Sequence, residues 1–175
     1  NYGLKHIPSD LMSGLSQIGF LLKKEIIWAK PKGTQGLWQR GTTISLKRMP
    51  FPGHININLQ HEFILIFQKE GKFPIKESEK LSEEFIKKIA WSVWEMRVSN
   101  FKGHPAPFPI ELPHRLIKMF TYKGETVLDP FAGVGTALIA ARNLQRKAIG
   151  YEINEHYCRL FLKYLSQSNY EESLF

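Results

Sequence analysis

The chain has 175 residues, 24 Lys and Arg against 16 Asp and Glu for a formal charge of +8, and 43% hydrophobic and 13% aromatic residues. That apolar content excludes a disordered basic tail, and the basic excess suits a polyanionic partner such as nucleic acid or an anionic membrane. A chain this long buries roughly 70% of its unfolded surface without staples, and its single cysteine, Cys158, excludes an internal disulfide and a Cys-cluster zinc site.

Taken from the N-terminus, Leu11, Leu15 and Ile18 fall at helical spacing, with Ser9 or Asp10 as N-cap and Gly19 as the stop, which predicts a helix over 9–18. Glu25-Ile26-Ile27-Trp28-Ala29 is β-branched and aromatic and ends before Pro31, so it reads as a strand. Phe63-Ile64-Leu65-Ile66-Phe67 is apolar on both faces and predicts a buried strand. The segment between these strands is far longer than a hairpin needs, which in a compact domain marks function or disorder. It also lacks acids: no Asp or Glu occurs from Ile26 to His61, while Lys30, Lys32, Arg40, Lys47 and Arg48 do.

Residues 79–90 place Leu81, Phe85 and Ile89 on one face among Lys and Glu, predicting a solvated surface helix, and Trp91 and Trp94 are expected in the core. Pro105, Pro107, Pro109 and Pro113 then force an extended approach into a helix over 112–120, with Leu112, Leu116 and Met119 inward. Thr126 to Phe131 reads as a strand entering the turn Ala132-Gly133-Val134-Gly135-Thr136. Ala137, Ala140, Ala141 and Leu144 follow at helical spacing, a second strand runs from Ala148 to Ile153, and Asn154 can cap a final helix bearing Tyr157, Leu160, Phe161 and Tyr164. Strand, glycine turn, helix, strand, helix is a βαβ unit with a right-handed crossover.

In such a unit the glycine turn admits a ligand close to the backbone, and a carboxylate ending the second strand can accept from ribose hydroxyls. Glu152, 17 residues past Gly135, is near that position. There is no third glycine and no Lys after the second, so a nucleoside ligand without a phosphate chain fits better than NAD or ATP. Two glycines at a strand-to-helix turn also serve plain helix packing, and a strand-end glutamate can be merely solvated. The residues alone leave both readings open.

The segments His104-Pro105-Ala106-Pro107-Phe108-Pro109, Val127 to Thr136 and Ile149-Gly150-Tyr151-Glu152-Ile153-Asn154 together closely resemble one family, the permuted amino-methyltransferases of DNA. Its members move a methyl group from S-adenosyl-L-methionine to adenine N6 or cytosine N4. Residues 104–157 carry most of the resemblance. Residues 4–69 match more loosely, through His6-Ile7-Pro8, Gly19-Phe20, Ile26 to Lys30 and His61 to Phe67, and 70–100 only at Val93-Trp94.

The resemblance implies an α/β fold, a Rossmann-like S-adenosylmethionine methyltransferase sheet, circularly permuted. Residues 1–69 would end the catalytic half with a basic insert at 31–60, 70–103 would be a short variable segment, and 104–175 would form the cosubstrate-binding half, all in one structural domain. It also implies site roles. Asp129, Pro130, Phe131, Ala132, Gly133, Gly135 and Thr136 would wrap the methionine and ribose portions, Glu152 would hold the ribose hydroxyls and Ile153 would pack on adenine. His104, Pro107, Phe108 and Pro109 would form the other wall.

One departure is plain. The family's Asp/Ser-Pro-Pro-Tyr tetrad, whose polar groups accept from the target amine while its ring stacks on the flipped base, occurs nowhere in residues 1–175, and Asp129-Pro130-Phe131-Ala132 occupies the cosubstrate turn instead. No catalytic residue is therefore assigned. Two central strands would also be absent, leaving unpaired backbone on apolar edges. The expectation is that a complementing polypeptide, or an N-terminal segment preceding Asn1, supplies them.

Double-stranded DNA is the expected macromolecular partner, with Lys32, Arg40, Lys47 and Arg48 on phosphates, Arg40 or Arg48 alternatively on guanine edges, and Trp38 as a wedge or stacking group. For any one of these, a solvated surface is the competing reading. The six histidines show no helical pair spacing and no neighbouring Cys, so no metal is expected. No apolar run of about 18 residues and no leader pattern is present, which suits a soluble, cytoplasmic protein without membrane contact. Two other readings stand beside a restriction-modification DNA methyltransferase: a catalytically inactive DNA-binding or regulatory protein on the same fold, and an RNA methyltransferase subunit.

Overall fold

A computed structural model describes residues 6–31, 51–52, 60–99 and 108–166. The chain divides into two compact units, Asn1–Glu95 and Met96–Phe175. The first holds helix α1 (Ile7–Gln17), strands β1 (Leu21–Ala29) and β2 (His61–Gln68), a 3-10 turn at Glu77–Glu79, helix α2 (Glu83–Ile89) and strand β3 (Val93–Glu95). The second holds α3 (Glu111–Phe120), β4 (Thr126–Asp129), α4 (Thr136–Asn143), β5 (Lys147–Gly150) and α5 (Glu155–Ser166).

In the first unit the strand order is β2-β1-β3, with β2 antiparallel and β3 parallel to β1. Helix α1 starts a turn earlier than its sequence suggests: His6 is its N-cap, and Pro8 lies where the missing N–H costs nothing. Ser9 and Asp10 thus lie inside the first turn and do not cap it. Gly19, at φ +90, ends the helix as expected. Ser82 caps α2, its hydroxyl accepting from the Phe85 N–H at 3.2 Å, and the exposed Lys87–Glu83 and Lys88–Glu84 pairs give that helix its solvated face.

Ile26, Trp28, Phe85 and Trp94 are buried in this unit, and Trp28 and Trp94 are register partners across β1 and β3. Two expectations are corrected. Trp91 is 74% exposed, because it sits at the bend before β3 while Trp94 points into the core. Strand β2 is half-buried, with Phe63 exposed: an apolar run makes a good strand, but burial needs a cover that the run itself does not specify.

The ends of segment 31–60 are held together. Ala29 pairs with His61, the Lys30 N–H donates to the Gln60 carbonyl at 2.7 Å, and the Lys30 ammonium pairs with Glu62 while lying 4.8 Å above the Trp28 ring. Lys30 is thereby tied at the neck of the basic segment.

In the second unit β4 and β5 are parallel, Thr126 opposite Lys147 through Asp129 opposite Gly150. Helix α4 connects them, as a parallel pair requires. Ile117 of α3 and Ala140 and Ala141 of α4 form the core, flanked by Ile110, Val127 and Leu144. The two alanines are fully buried, which lets α3 and α4 approach closely. Helix α3 is rotated from its expected face: Pro113 and Ile117 are buried, while Leu112, Leu116 and Met119 are half-buried flanks. The opposite face of the β-pair carries Leu128 and its register partner Ile149, 59% and 50% exposed.

Arg146 locks the connection. Its guanidinium donates to the Thr121 hydroxyl (3.0 Å), the Thr121 carbonyl (2.6 Å) and the Leu144 carbonyl (2.5 Å), satisfying acceptors at the ends of two helices. Among the described residues no helix is long and apolar enough to cross a membrane, and no group of three or more His, Cys, Asp or Glu is placed to hold a metal.

Candidate cosubstrate site

Both strands of the second unit stop earlier than sequence periodicity suggests, and the residues beyond them build the site. Strand β4 ends at Asp129 because its carboxylate turns back and accepts the Phe131 N–H at 3.0 Å. The chain past β5 stays alongside it without being strand: the Tyr151 N–H donates to the Asp129 carbonyl (3.0 Å) and the Ala132 N–H to the Tyr151 carbonyl (2.9 Å).

Gly133 and Gly135 both adopt positive φ, +55 and +80, conformations that cost an L side chain strain. The Gly135 N–H donates to the Ala132 carbonyl at 2.8 Å, closing the turn, and Gly135 is the N-cap of α4. Gly133 is half-buried, so the turn leaves partly open backbone there, while Gly135 is buried.

Glu152 joins the turn to the second strand. One carboxylate oxygen accepts the Gly133 N–H at 2.8 Å and the other accepts the Asn154 N–H at 2.7 Å. An ionised carboxylate has about four lone-pair sites, so two acceptor positions remain for a ligand diol. Asn154 caps α5 as expected, its side-chain oxygen accepting the His156 N–H at 2.9 Å. The Cys158 thiol lies 3.7 Å from the Glu152 carbonyl and is half-buried.

Around this polar centre stand exposed apolar groups: Phe131 at 87%, Tyr151 at 64% and Ile153 fully exposed. Large apolar side chains clustered beside a carboxylate and an open glycine backbone are what a ligand with a flat ring and a diol would cover.

The structure thus brings together Asp129, Phe131, Ala132, Gly133, Gly135 and Glu152 through direct hydrogen bonds, with Pro130, Thr136 and Ile153 as chain neighbours. Phe108 and Pro109 lie at the entry to α3, where the Pro109 carbonyl accepts the Leu112 N–H at 3.1 Å. His104 and Pro107 lie outside the described residues, as do Lys32, Trp38, Arg40, Lys47 and Arg48. Phe161, which the sequence marks only as an apolar residue of the final helix, abuts Gly135 with its ring. Periodicity shows only that Phe161 faces inward, not what it meets.

A family model described as DNA methylase matches residues 3–163. The chain belongs to the DNA methylase family. Among curated relatives, the type II methyltransferase M.MjaI of Methanocaldococcus jannaschii is 33% identical over 159 residues, covering 84% of this chain and 50% of that protein. The Thermus thermophilus protein TTHA0409, solved in complex with S-adenosyl-L-methionine, superposes with a TM-score of 0.71 at 28% identity, over 91% of this chain and 58% of that one. The cytosine-N4-specific PvuII DNA methyltransferase shares the fold, with a TM-score of 0.69 at 21% identity over 96% of this chain and 60% of that one. The α/β fold is accordingly that of the Rossmann-like methyltransferases. The chain spans about half the length of the curated relatives it matches.

Proposed function

We propose that this chain is the S-adenosylmethionine-binding and DNA-contacting portion of a site-specific DNA methyltransferase acting on an exocyclic amine, cytosine N4 or adenine N6, in a restriction-modification system. The observation that carries the cosubstrate half is Glu152 itself. Its carboxylate reaches 19 positions back to the Gly133 N–H, so the open glycine turn and an acid with spare acceptor positions form one constellation.

The residues present fit S-adenosylmethionine. In this reading Glu152 holds the ribose diol, Ile153 covers the adenine, and Asp129, Pro130, Phe131, Ala132, Gly133, Gly135 and Thr136 wrap the ribose and methionine. His104, Pro107, Phe108 and Pro109 form the second wall. The bound cosubstrate supplies a methyl carbon already activated by its positive sulfur, so this chain's residues need only bind, orient and keep water away. No acid or base residue is assigned.

The target amine needs the Pro-Pro-Tyr type of tetrad, which this sequence lacks. We take the bare apolar pair Leu128 and Ile149 as the face that meets polypeptide carrying it, in this permuted order of halves. Lys32, Trp38, Arg40, Lys47 and Arg48 contact duplex DNA, from a segment whose neck Lys30 and Glu62 hold closed.

Calorimetry of the chain with S-adenosyl-L-methionine tests the cosubstrate reading, and no heat of binding would overturn it. Duplex DNA titrated at several salt concentrations tests the other half. Arg48→Ala should weaken binding and lower the slope of log K against log salt by about 0.9 for one lost phosphate contact. A slope that does not change removes Arg48 from the interface, and preference for duplex RNA over DNA would favour an RNA methyltransferase.

A further inference from the structure

We infer that Phe161, on the second turn of α5, is a positioning residue that sets the shape of the Gly133–Gly135 turn; the inference rests on the cosubstrate reading above. A Cβ built on Gly135 would collide with Phe161 Cδ2 and lie 2.5 Å from Cε2 and 2.9 Å from Cγ. The ring therefore packs directly on the Gly135 backbone, filling the space any other residue would claim. Gly135 is buried at φ +80, a conformation glycine adopts freely, and its backbone is bonded to Ala132 and Ile139 but has no side chain of its own to pack.

The turn is thus gripped twice from one continuous stretch of chain. At Gly133 the grip is polar, through the Glu152 carboxylate. At Gly135 it is steric, through Phe161. Between the two grips the chain is fixed. The Asn154 N–H donates to Glu152, the Asn154 side chain and carbonyl accept from His156, Tyr157 and Cys158, and α5 then carries Phe161 back under the turn. Residues 152–161 form a clamp whose polar jaw also faces the ribose position, so the ring keeps the backbone that the cosubstrate approaches in the conformation that Glu152 completes.

The variants are Phe161→Ala, Phe161→Leu and Leu160→Ala, the last a half-buried neighbour on the same helix, all in the full 175-residue chain. Amide hydrogen exchange is read over residues 129–136, and S-adenosyl-L-methionine affinity by calorimetry. Phe161→Ala should speed exchange in the turn and raise Kd about tenfold, and Phe161→Leu should recover part of both. Leu160→Ala should lower the melting temperature while leaving turn exchange unchanged. Gly135→Ala should also cost less stability in the Phe161→Ala background than in the wild type, because only the φ strain remains. If Phe161→Ala does not fold, the Leu variant and a Phe161→Met variant carry the same comparison.

Turn exchange and affinity unchanged in these variants, or strictly additive Gly135 and Phe161 costs, would overturn the inference. A wild-type chain that binds no S-adenosylmethionine overturns the cosubstrate reading itself and leaves Phe161 as packing only.

Discussion

Removing the Glu152 carboxylate separates the two things it does. In Glu152→Ala the Gly133 and Asn154 N–H groups both lose a charged acceptor, at 2.8 and 2.7 Å. A hydrogen bond to a charged group contributes about 1.5–3 kcal/mol. Glu152 is only half-buried and water can replace part of each bond, so about 1 kcal/mol per bond is the reasonable figure, or about 2 kcal/mol in all. For a chain of this size that lowers the melting temperature by roughly 4–8 °C. Glu152→Gln sharpens the test. The amide keeps one acceptor, but its NH2 must face either Gly133 N–H or Asn154 N–H, donor against donor, so about half the loss or more should remain. Urea unfolding followed by circular dichroism gives the stability, read as a midpoint shift at unchanged slope, and calorimetry with S-adenosyl-L-methionine gives the affinity. Both variants should bind more weakly, Ala more than Gln. A Glu152→Gln chain as stable and as tight-binding as the wild type would refute the argument, because the charge would then hold neither turn nor ligand.

Three other perturbations test the second unit. In Gly150→Ala the new methyl would lie 2.6 Å from Leu138 Cδ1 and 2.9 Å from Ala132 Cβ; the leucine can swing but Ala132 is fixed to the turn. Overpacking should cost about 1–3 kcal/mol, and an unfolding midpoint equal to wild type would show that β5 can shift away. Arg146→Ala strands acceptors at Thr121 and Leu144 and should cost about 2 kcal/mol; Arg146→Lys should recover only part, and full recovery would mean that charge alone suffices. His114 has its pKa lowered by burial, then by Lys118. Its unfolded form therefore takes up a proton before the folded form does, and stability should fall as pH drops through about 6.5. His114→Gln should flatten that segment of the stability–pH curve, and an unchanged slope would assign the pH dependence elsewhere.

How far the sequence speaks depends on the range of the interaction involved. The βαβ segment was legible almost residue by residue, since glycine turn, alanine-faced helix and Asn154 cap each act within a few positions. Even its misread strand ends have a local cause, the Asp129 side chain bonding to the Phe131 N–H. Strand β3 left no such trace: three residues pair with β1 across some sixty-six positions, from Val93 back to Ile27, and nothing in Val93-Trp94-Glu95 encodes that partner. The same limit explains the rotation of α3. Its apolar residues form a stripe wide enough that Leu112, Leu116 and Met119 or Pro113 and Ile117 could face inward. The choice falls to α4, whose two alanines admit the Ile117 side chain.

Phe161 shows the complementary case, a residue whose type was legible and whose task was not. An aromatic on the inner face of a terminal helix is ordinary core by pattern. It becomes specific only because the residue it meets is a glycine held at positive φ. Two constraints that each look local, a turn that needs glycine and a helix that needs an apolar face, turn out to satisfy one another. Gly135 can lack a side chain at little cost in packing because Phe161 fills the space, and the Phe161 ring can seat there because Gly135 leaves it room. A pair so matched resists single substitution at either position more than its separate burial would suggest, which is why the turn and the helix after the second strand are best regarded as one packing unit rather than two.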